Sequence, residues 1–202
     1  MITATVTLEG FGPYQQSKHY EVPKLESEEG RGSAKLHAYE ERTWRNRAHR
    51  DERGHMVIPA GQFKKSLIEG AKHSGERKDG KQSGQAIWKF FQSGVQMTDD
   101  LVLPYLVDEV EGRWVFGASN GMPGSGTRVP KCFPTIAKWS GTVTYLIFDT
   151  ENINRDIFER MLRRAGMFVG IGTFRPANGG DYGRYKVVKI KWHNDRTIGT
   201  EG

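Results

Sequence analysis

The chain has 202 residues, with 30 Lys and Arg against 24 Asp and Glu, and a formal charge of +6. A single cysteine, Cys132, excludes an internal disulfide scaffold and points to a reducing compartment. No apolar run approaches the ~20 residues of a membrane helix, and the N-terminus lacks the basic start of a signal peptide, so a cytoplasmic protein without a membrane partner is expected.

The length suits one domain over 1–202, with a large insertion. Residues 2–9 alternate, with Ile2, Ala4, Val6 and Leu8 on one side and threonines on the other, which predicts a strand. Residues 10–34 are rich in Gly, Ser, Glu and Lys and read as loops. Residues 35–53 have helix formers but a thin apolar stripe. They read as an exposed arm, helical or hairpin, that needs a partner to order it. The inserted segment is thus placed at 10–55.

A short strand over 55–59 ends at Pro59, and a helix follows over 61–72 with Phe63, Leu67, Ile68 and Ala71 on one face. Residues 73–86 read as a polar linker. Residues 101–107 and 113–117 predict a hairpin about Glu109–Gly112, and 117–127 no regular element. Residues 141–148 predict a central strand. Residues 153–165 predict a helix with a stripe from Ile153 to Ala165, stopped by Gly166. A glycine-rich loop over 166–183 leads into a last strand over 184–192, where basic and apolar residues largely alternate.

Stripped of insertions, the order approximates β-α-β-β-α-β: an α+β, ferredoxin-like or RRM-like antiparallel sheet with two helices on one face, plus the inserted arm and long glycine-rich loops. The open face of such a sheet is a frequent nucleic-acid platform.

Charge is unevenly placed. Arg42, Arg45, Arg47, Arg50 and Arg53 cluster in the arm, and Arg184, Lys186, Lys189 and Lys191 in the last strand. Acid collects at Glu21–Glu29 and at Asp99–Glu111. A basic face suits a polyanion, and separated blocks of opposite sign suit contacts between copies.

Two segments carry the most specific signal. In Val57–Leu67 a strand ends at a proline and a helix opens with Lys64 and Lys65 near its start, where backbone N–H groups can hold an anion. The bland counterpart is a strand-to-helix turn with solvated lysines. In Gly170–Arg184, glycines that include Gly172 alternate with Phe174, Arg175, Tyr182 and Arg184. Glycine permits close approach to a ligand, arginine pairs with phosphate and aromatic rings stack on bases. The loop follows a helix and precedes a strand, the reverse of a dinucleotide fingerprint.

The pairing of "VIPAGQFKKSL" with "GIGTFRPANGGDYGRYKV" resembles the RAMP superfamily, RRM-fold proteins that include backbone subunits of CRISPR effector complexes. By position the first match covers Ile58, Pro59, Phe63, Lys64, Lys65 and Leu67, and the second Gly170, Gly172, Gly179, Gly180, Gly183 and Arg184. "MITATVTLEG", "YEERTWR" and "GIGTFRP" also look like small proteins of tailed phages, which would place the chain in a bacterial host's cytoplasm. The resemblance implies a non-enzymatic protein that binds single-stranded DNA or RNA and self-associates side by side into a filament or ring. The binding set is then Arg42, Trp44, Arg45, Arg47, Lys64, Lys65, Gly172, Phe174, Arg175, Tyr182, Arg184 and Lys186.

Catalytic signals are weaker. His37 and Glu41 share a helix face but are too few for a metal. Asp99 and Asp100 read as a turn, and Cys132 has no recognisable His–Asn partner. No catalytic residue, metal or cofactor is assigned. The alternatives are a RAMP-type endoribonuclease or guide-processing subunit, and a phage protein whose partner is another protein.

Overall fold

A computed structural model describes residues 1–30, 32–81, 83–119 and 126–194. In chain order the elements are β1 (Ile2–Gly10), β2 (Tyr14–Gln15), α1 (Ser33–Thr43), β3 (His55–Ile58), α2 (Ala60–Ser74), α3 (Trp88–Gly94), β4 (Val95–Met97), β5 (Leu101–Leu106), β6 (Glu111–Ala118), β7 (Arg128–Ile136), β8 (Ser140–Ile147), α4 (Arg155–Arg164) and β9 (Tyr185–Asn194). The protein is α+β with antiparallel sheets, an architecture compatible with an RRM-like fold. No helix among the described residues is long and apolar enough to cross a membrane.

The main sheet has the order β4-β8-β1-β9, every neighbour antiparallel. Strand alternation divides its residues between two faces. Ala4, Val6 and Leu8 of β1, Val143, Tyr145 and Ile147 of β8, and Tyr185 and Val187 of β9 are buried against the helices. From α2 come Phe63, Leu67 and Ala71, and from α4 Phe158, Met161 and Leu162, all buried. Each large side chain removed from water contributes about 1.5–3 kcal/mol.

The two helices meet where side chains are smallest. A Cβ on Gly70 would stand 2.8 Å from the Cα of Ala165, so only glycine allows that approach. Helix α4 starts at Asn154, whose side chain accepts a hydrogen bond from the Ile157 amide at 2.9 Å. It does not stop at Gly166. A π-helical turn over Ala165–Val169 extends it, and Gly170, at φ 71°, ends it. Gly166 instead lies against the ring of Tyr185.

Three further expectations are corrected. Residues 101–106 do not form a hairpin with 113–117: β5 pairs with β3, while β6 pairs with β7 in a second sheet of order β2-β7-β6. Strand β7 contains Pro130 and Pro134, which weaken a strand reading. Residues 87–97, left without an element above, form α3 and β4. The arm is helical over α1 and is ordered by its own chain. Glu40 of α1 accepts from the Cys132 amide of β7 at 3.2 Å, and the Trp44 ring packs over Gly112 of β6. The stretch read as irregular over 117–127 has β6 running to Ala118; residues 120–125 and 195–202 lie outside the described residues.

Candidate nucleic-acid interface

The glycine-rich loop is fixed from both ends. The Ile171 amide donates to Gly183 O at 2.9 Å, the Tyr182 amide to Phe174 O at 3.0 Å and the Gly183 amide to Pro13 O at 2.7 Å. The Thr173 amide donates to Gln15 O at 3.1 Å, which lays the loop along β2. Gly172 has φ 74°, and a Cβ there would stand 2.7 Å from the Tyr14 ring. Two buried glutamines, unremarkable in the sequence, anchor this region. Gln15 donates to Thr135 Oγ1 at 2.8 Å. Gln16 donates to Tyr14 Oη at 3.0 Å and to Val57 O at 2.5 Å, and accepts from the His49 amide at 2.6 Å. Tyr14 Oη in turn donates to Gln62 Oε1 at 3.0 Å, so the two sequence motifs meet through β2.

Phe174 stands at the centre of the loop. It is the one non-glycine residue at positive φ among the described residues, at 54°, and it is 39 % exposed. Such a conformation costs of order 1–3 kcal/mol and persists only where its surroundings enforce it. Its ring meets Phe133 edge-on at 5.6 Å and Tyr182 at 6.3 Å. The Arg113 guanidinium lies 5.0 Å from the Tyr182 ring centre, and that of Arg47 5.2 Å from Phe133 and 5.1 Å from Tyr20. Cations and rings therefore alternate along one row, Arg113, Tyr182, Phe174, Phe133 and Arg47, which is exposed at Arg113 and Phe174, partly exposed at Tyr182 and buried at Phe133. Arg113, Phe133 and Tyr20 were not singled out in the sequence. Arg113 and Phe133 stand opposite each other in the β6–β7 register, a pairing hidden by the wrong hairpin.

Arg175 turns the other way, toward α2, and pairs with Glu69 at 3.0 Å. Lys65, Ile68, Lys72 and Arg175 there line a shallow hollow of about 330 Å³. Lys64 and Lys65 have no ion pair among the described residues. The N-terminus of α2 is already occupied by an anion, because the Ala60 amide donates to Asp100 Oδ1 at 2.7 Å. Asp100 is thus a helix cap.

The remaining expected residues hold the chain together in the free protein. Arg42 makes a fork with Glu28, at 2.6 Å, and that hydrogen-bonded pairing holds the Glu28 carboxyl down at about 2. Arg47 pairs with Glu40 at 2.6 Å, Arg184 with Asp181 at 3.4 Å and Lys186 with Glu9 at 3.1 Å. Trp44 is 7 % exposed, with the Arg45 guanidinium 4.2 Å from its ring centre. Gly112 and Arg45 pack against its ring, so in the free protein it fastens the arm. Burial, then the charge of Glu40, pushes the Cys132 thiol up to about 11, so it carries no thiolate near neutrality.

The open face of the main sheet has a different chemistry from the loop. Thr7 stands between Thr142 and Lys189, Thr5 between Thr144 and Lys191, and Thr3 between Leu146 and His193. No Phe, Tyr or Trp belongs to these rows. Rings for stacking are concentrated in the loop instead.

No family model and no curated protein matches the chain. Among solved structures, the crystal structure of Cmr6 from Pyrococcus furiosus is similar at 12 % identity and a TM-score of 0.45, over 93 % of this chain and 99 % of that one. A chain of a CRISPR RNA-guided surveillance complex is similar at 10 % identity and a TM-score of 0.42, over 98 % of this chain and 72 % of that one.

Proposed function

We propose that this chain is a non-enzymatic protein that binds single-stranded nucleic acid and assembles side by side along the strand, in the manner of a RAMP-family backbone subunit. The observation that carries the reading is the accessible end of the row of cations and rings, Arg113, Tyr182 and Phe174, with Phe174 held half-exposed at positive φ against the buried Phe133. A base stacks on Phe174 or Tyr182, and its phosphates meet the cations beside them. Base–aromatic stacking contributes about 1–3 kcal/mol per base, and phosphate contacts add a salt-sensitive term. Lys64, Lys65 and Arg175 extend the cationic surface along α2, with Arg184 and Lys186 at the start of β9 and Gly172 keeping the loop close to β2.

The chain path β1, α2, β4, β8, α4, β9 supports a ferredoxin-like sandwich, with the second sheet and the arm inserted into it as one domain. For self-association, the outer edge of β9 is a poor surface. It carries Lys186, Lys189 and Lys191, and a bulge opposite Thr7 and Leu8, devices that discourage strand pairing. The exposed acids Asp108, Glu109 and Glu111 are a better match for a cationic face of a neighbouring copy. A cytoplasmic setting goes with this reading.

The test is anisotropy of labelled single-stranded DNA and RNA, short and long, at two salt concentrations. Salt-sensitive binding that strengthens with length and falls at least ~10-fold in Phe174→Ala is expected. Absence of binding to either at low salt overturns the reading.

One observation favours an endoribonuclease as the second reading. Asp51 Oδ2 lies 3.3 Å from His55 Nδ1, and both residues line a cleft of about 440 Å³ with Arg53. A carboxylate-oriented imidazole beside an arginine suits general base catalysis at a phosphodiester. RNA cleavage that is lost in His55→Ala would establish it, and intact RNA after prolonged incubation removes it.

A further inference from the structure

A separate hollow lies beyond the C-terminal end of α2, between the 75–81 turn, α3 and the start of α4, with a volume of about 870 Å³. That is within the ~300–1,000 Å³ typical of small-molecule sites. None of the residues that line it belongs to the surface around Phe174.

Its walls differ in chemistry. The 75–81 turn supplies Arg77, Lys78 and Lys81, all exposed. Glu76 on that wall is taken by Arg160 at 2.7 Å. Lys78 and Lys81 line the hollow and have no ion pair among the described side chains. The floor is apolar, made by Ile87, Phe90 and Ile157. The Lys78 ammonium stands 5.9 Å from the centre of the Phe90 ring, so a cation overhangs the aromatic floor. On the far wall Glu151 is exposed and also lacks an ion pair among the described residues.

A dianionic head, a flat apolar ring and a diol between them complement these three walls. Phosphate alone would leave the floor unused, and an apolar ring alone would leave the ammonium groups unmatched. We propose that this hollow is a binding site for a nucleoside phosphate. The phosphates meet Lys78, Lys81 and Arg77, the base lies on Phe90, Ile87 and Ile157, and Glu151 accepts from the sugar hydroxyls. The site stands independently of the strand-binding reading, because it shares no residue with it.

Calorimetric titration of the full chain with ADP, pyrophosphate and adenosine tests this. ADP is expected to bind at least ~10-fold more tightly than either fragment, and the exposed double variant Lys78→Glu, Lys81→Glu to weaken ADP by at least ~10-fold. Phe174→Ala is expected to leave ADP binding unchanged, which separates failure here from failure of the strand-binding reading. Competition between ADP and a 5′-phosphorylated oligonucleotide, against its 5′-hydroxyl form, assigns the hollow to a strand end; no competition assigns it to a free nucleotide. Pyrophosphate or adenosine binding as tightly as ADP, an ADP affinity unchanged in the double variant, or no heat at about 1 mM ADP overturns the proposal.

Discussion

Arg175 and Glu69 close a 3.0 Å ion pair that ties the glycine-rich loop to α2, in a position where both side chains are partly exposed. The pair gives Arg175 two competing partners: Glu69 in the free protein and a phosphate in the bound one. Removing each member therefore has opposite consequences for strand binding. Arg175→Ala is expected to weaken binding, and Glu69→Gln to strengthen it about threefold to tenfold, because a carboxylate near the phosphate no longer repels it. Anisotropy titrations of the two variants at equal salt check this. If both variants weaken binding alike, the pair is structural and Arg175 does not contact the strand.

Trp44 and Phe174 are both aromatic residues beside arginines, and they separate stability from binding. Trp44 is buried against Gly112 and Arg45, whereas Phe174 is partly exposed. Trp44→Ala leaves a cavity between the arm and the β6–β7 hairpin and is expected to cost about 3–5 kcal/mol in urea denaturation. Phe174→Ala is expected to cost about 1 kcal/mol or less, since its ring makes edge contacts at the surface. A comparable loss from both would place Phe174 in the core and remove its face from the site.

How far the sequence led depends on the range of the interaction. The strand of alternating Ala4, Val6 and Leu8 and the stripes of α2 and α4 are local periodicities, and they were legible. The two motifs were legible as segments, but Gln15 and Gln16, which bring them together, sit in a polar stretch that resembles any loop. The hairpin failed because β3, some 45 residues before β5, outcompeted the neighbouring β6 for pairing, and no local pattern reports that choice. The charge and aromaticity of Arg42, Arg47 and Trp44 are visible in sequence, while their partners in the free chain, Glu28, Glu40 and Gly112, are not. The anion at the start of α2 was expected from outside and came from Asp100.

The Arg42–Glu28 fork makes stability depend on acid. Glu28 ionises at about 2 in the folded chain because Arg42 hydrogen-bonds its carboxylate, against 4.5 ordinarily. A lowered folded value means that the contribution is fully present above pH 4.5 and is lost as the pH falls from there toward 2. Wild-type protein is expected to lose stability across that window, and Glu28→Gln to start lower and show a shallower loss. Urea midpoints measured at intervals between pH 6 and pH 2.5 check it. Parallel curves for the two proteins would show that other carboxylates set the acid response.

Gly172 tests whether the loop must lie against β2 for the surface to exist. Its φ of 74° is disfavoured for any residue with a Cβ, and an added Cβ would meet the Tyr14 ring at 2.7 Å and the Gln15 carbonyl oxygen as well. The conformational penalty alone is about 1–2 kcal/mol. Tyr14 cannot yield easily, because its hydroxyl is held by Gln16 and Gln62. Gly172→Ala is therefore expected to destabilise the fold by about 2 kcal/mol or more and to lift the loop from Gln15. Gly179 supplies the control. It has φ 77°, so alanine pays the same conformational penalty, but nothing lies within 4 Å of its added Cβ. Gly179→Ala should lose only that penalty and keep strand affinity, whereas Gly172→Ala should lose both. Equal behaviour of the two variants, in thermal melts and in anisotropy, would show that the contact with Tyr14 and Gln15 does not position Phe174.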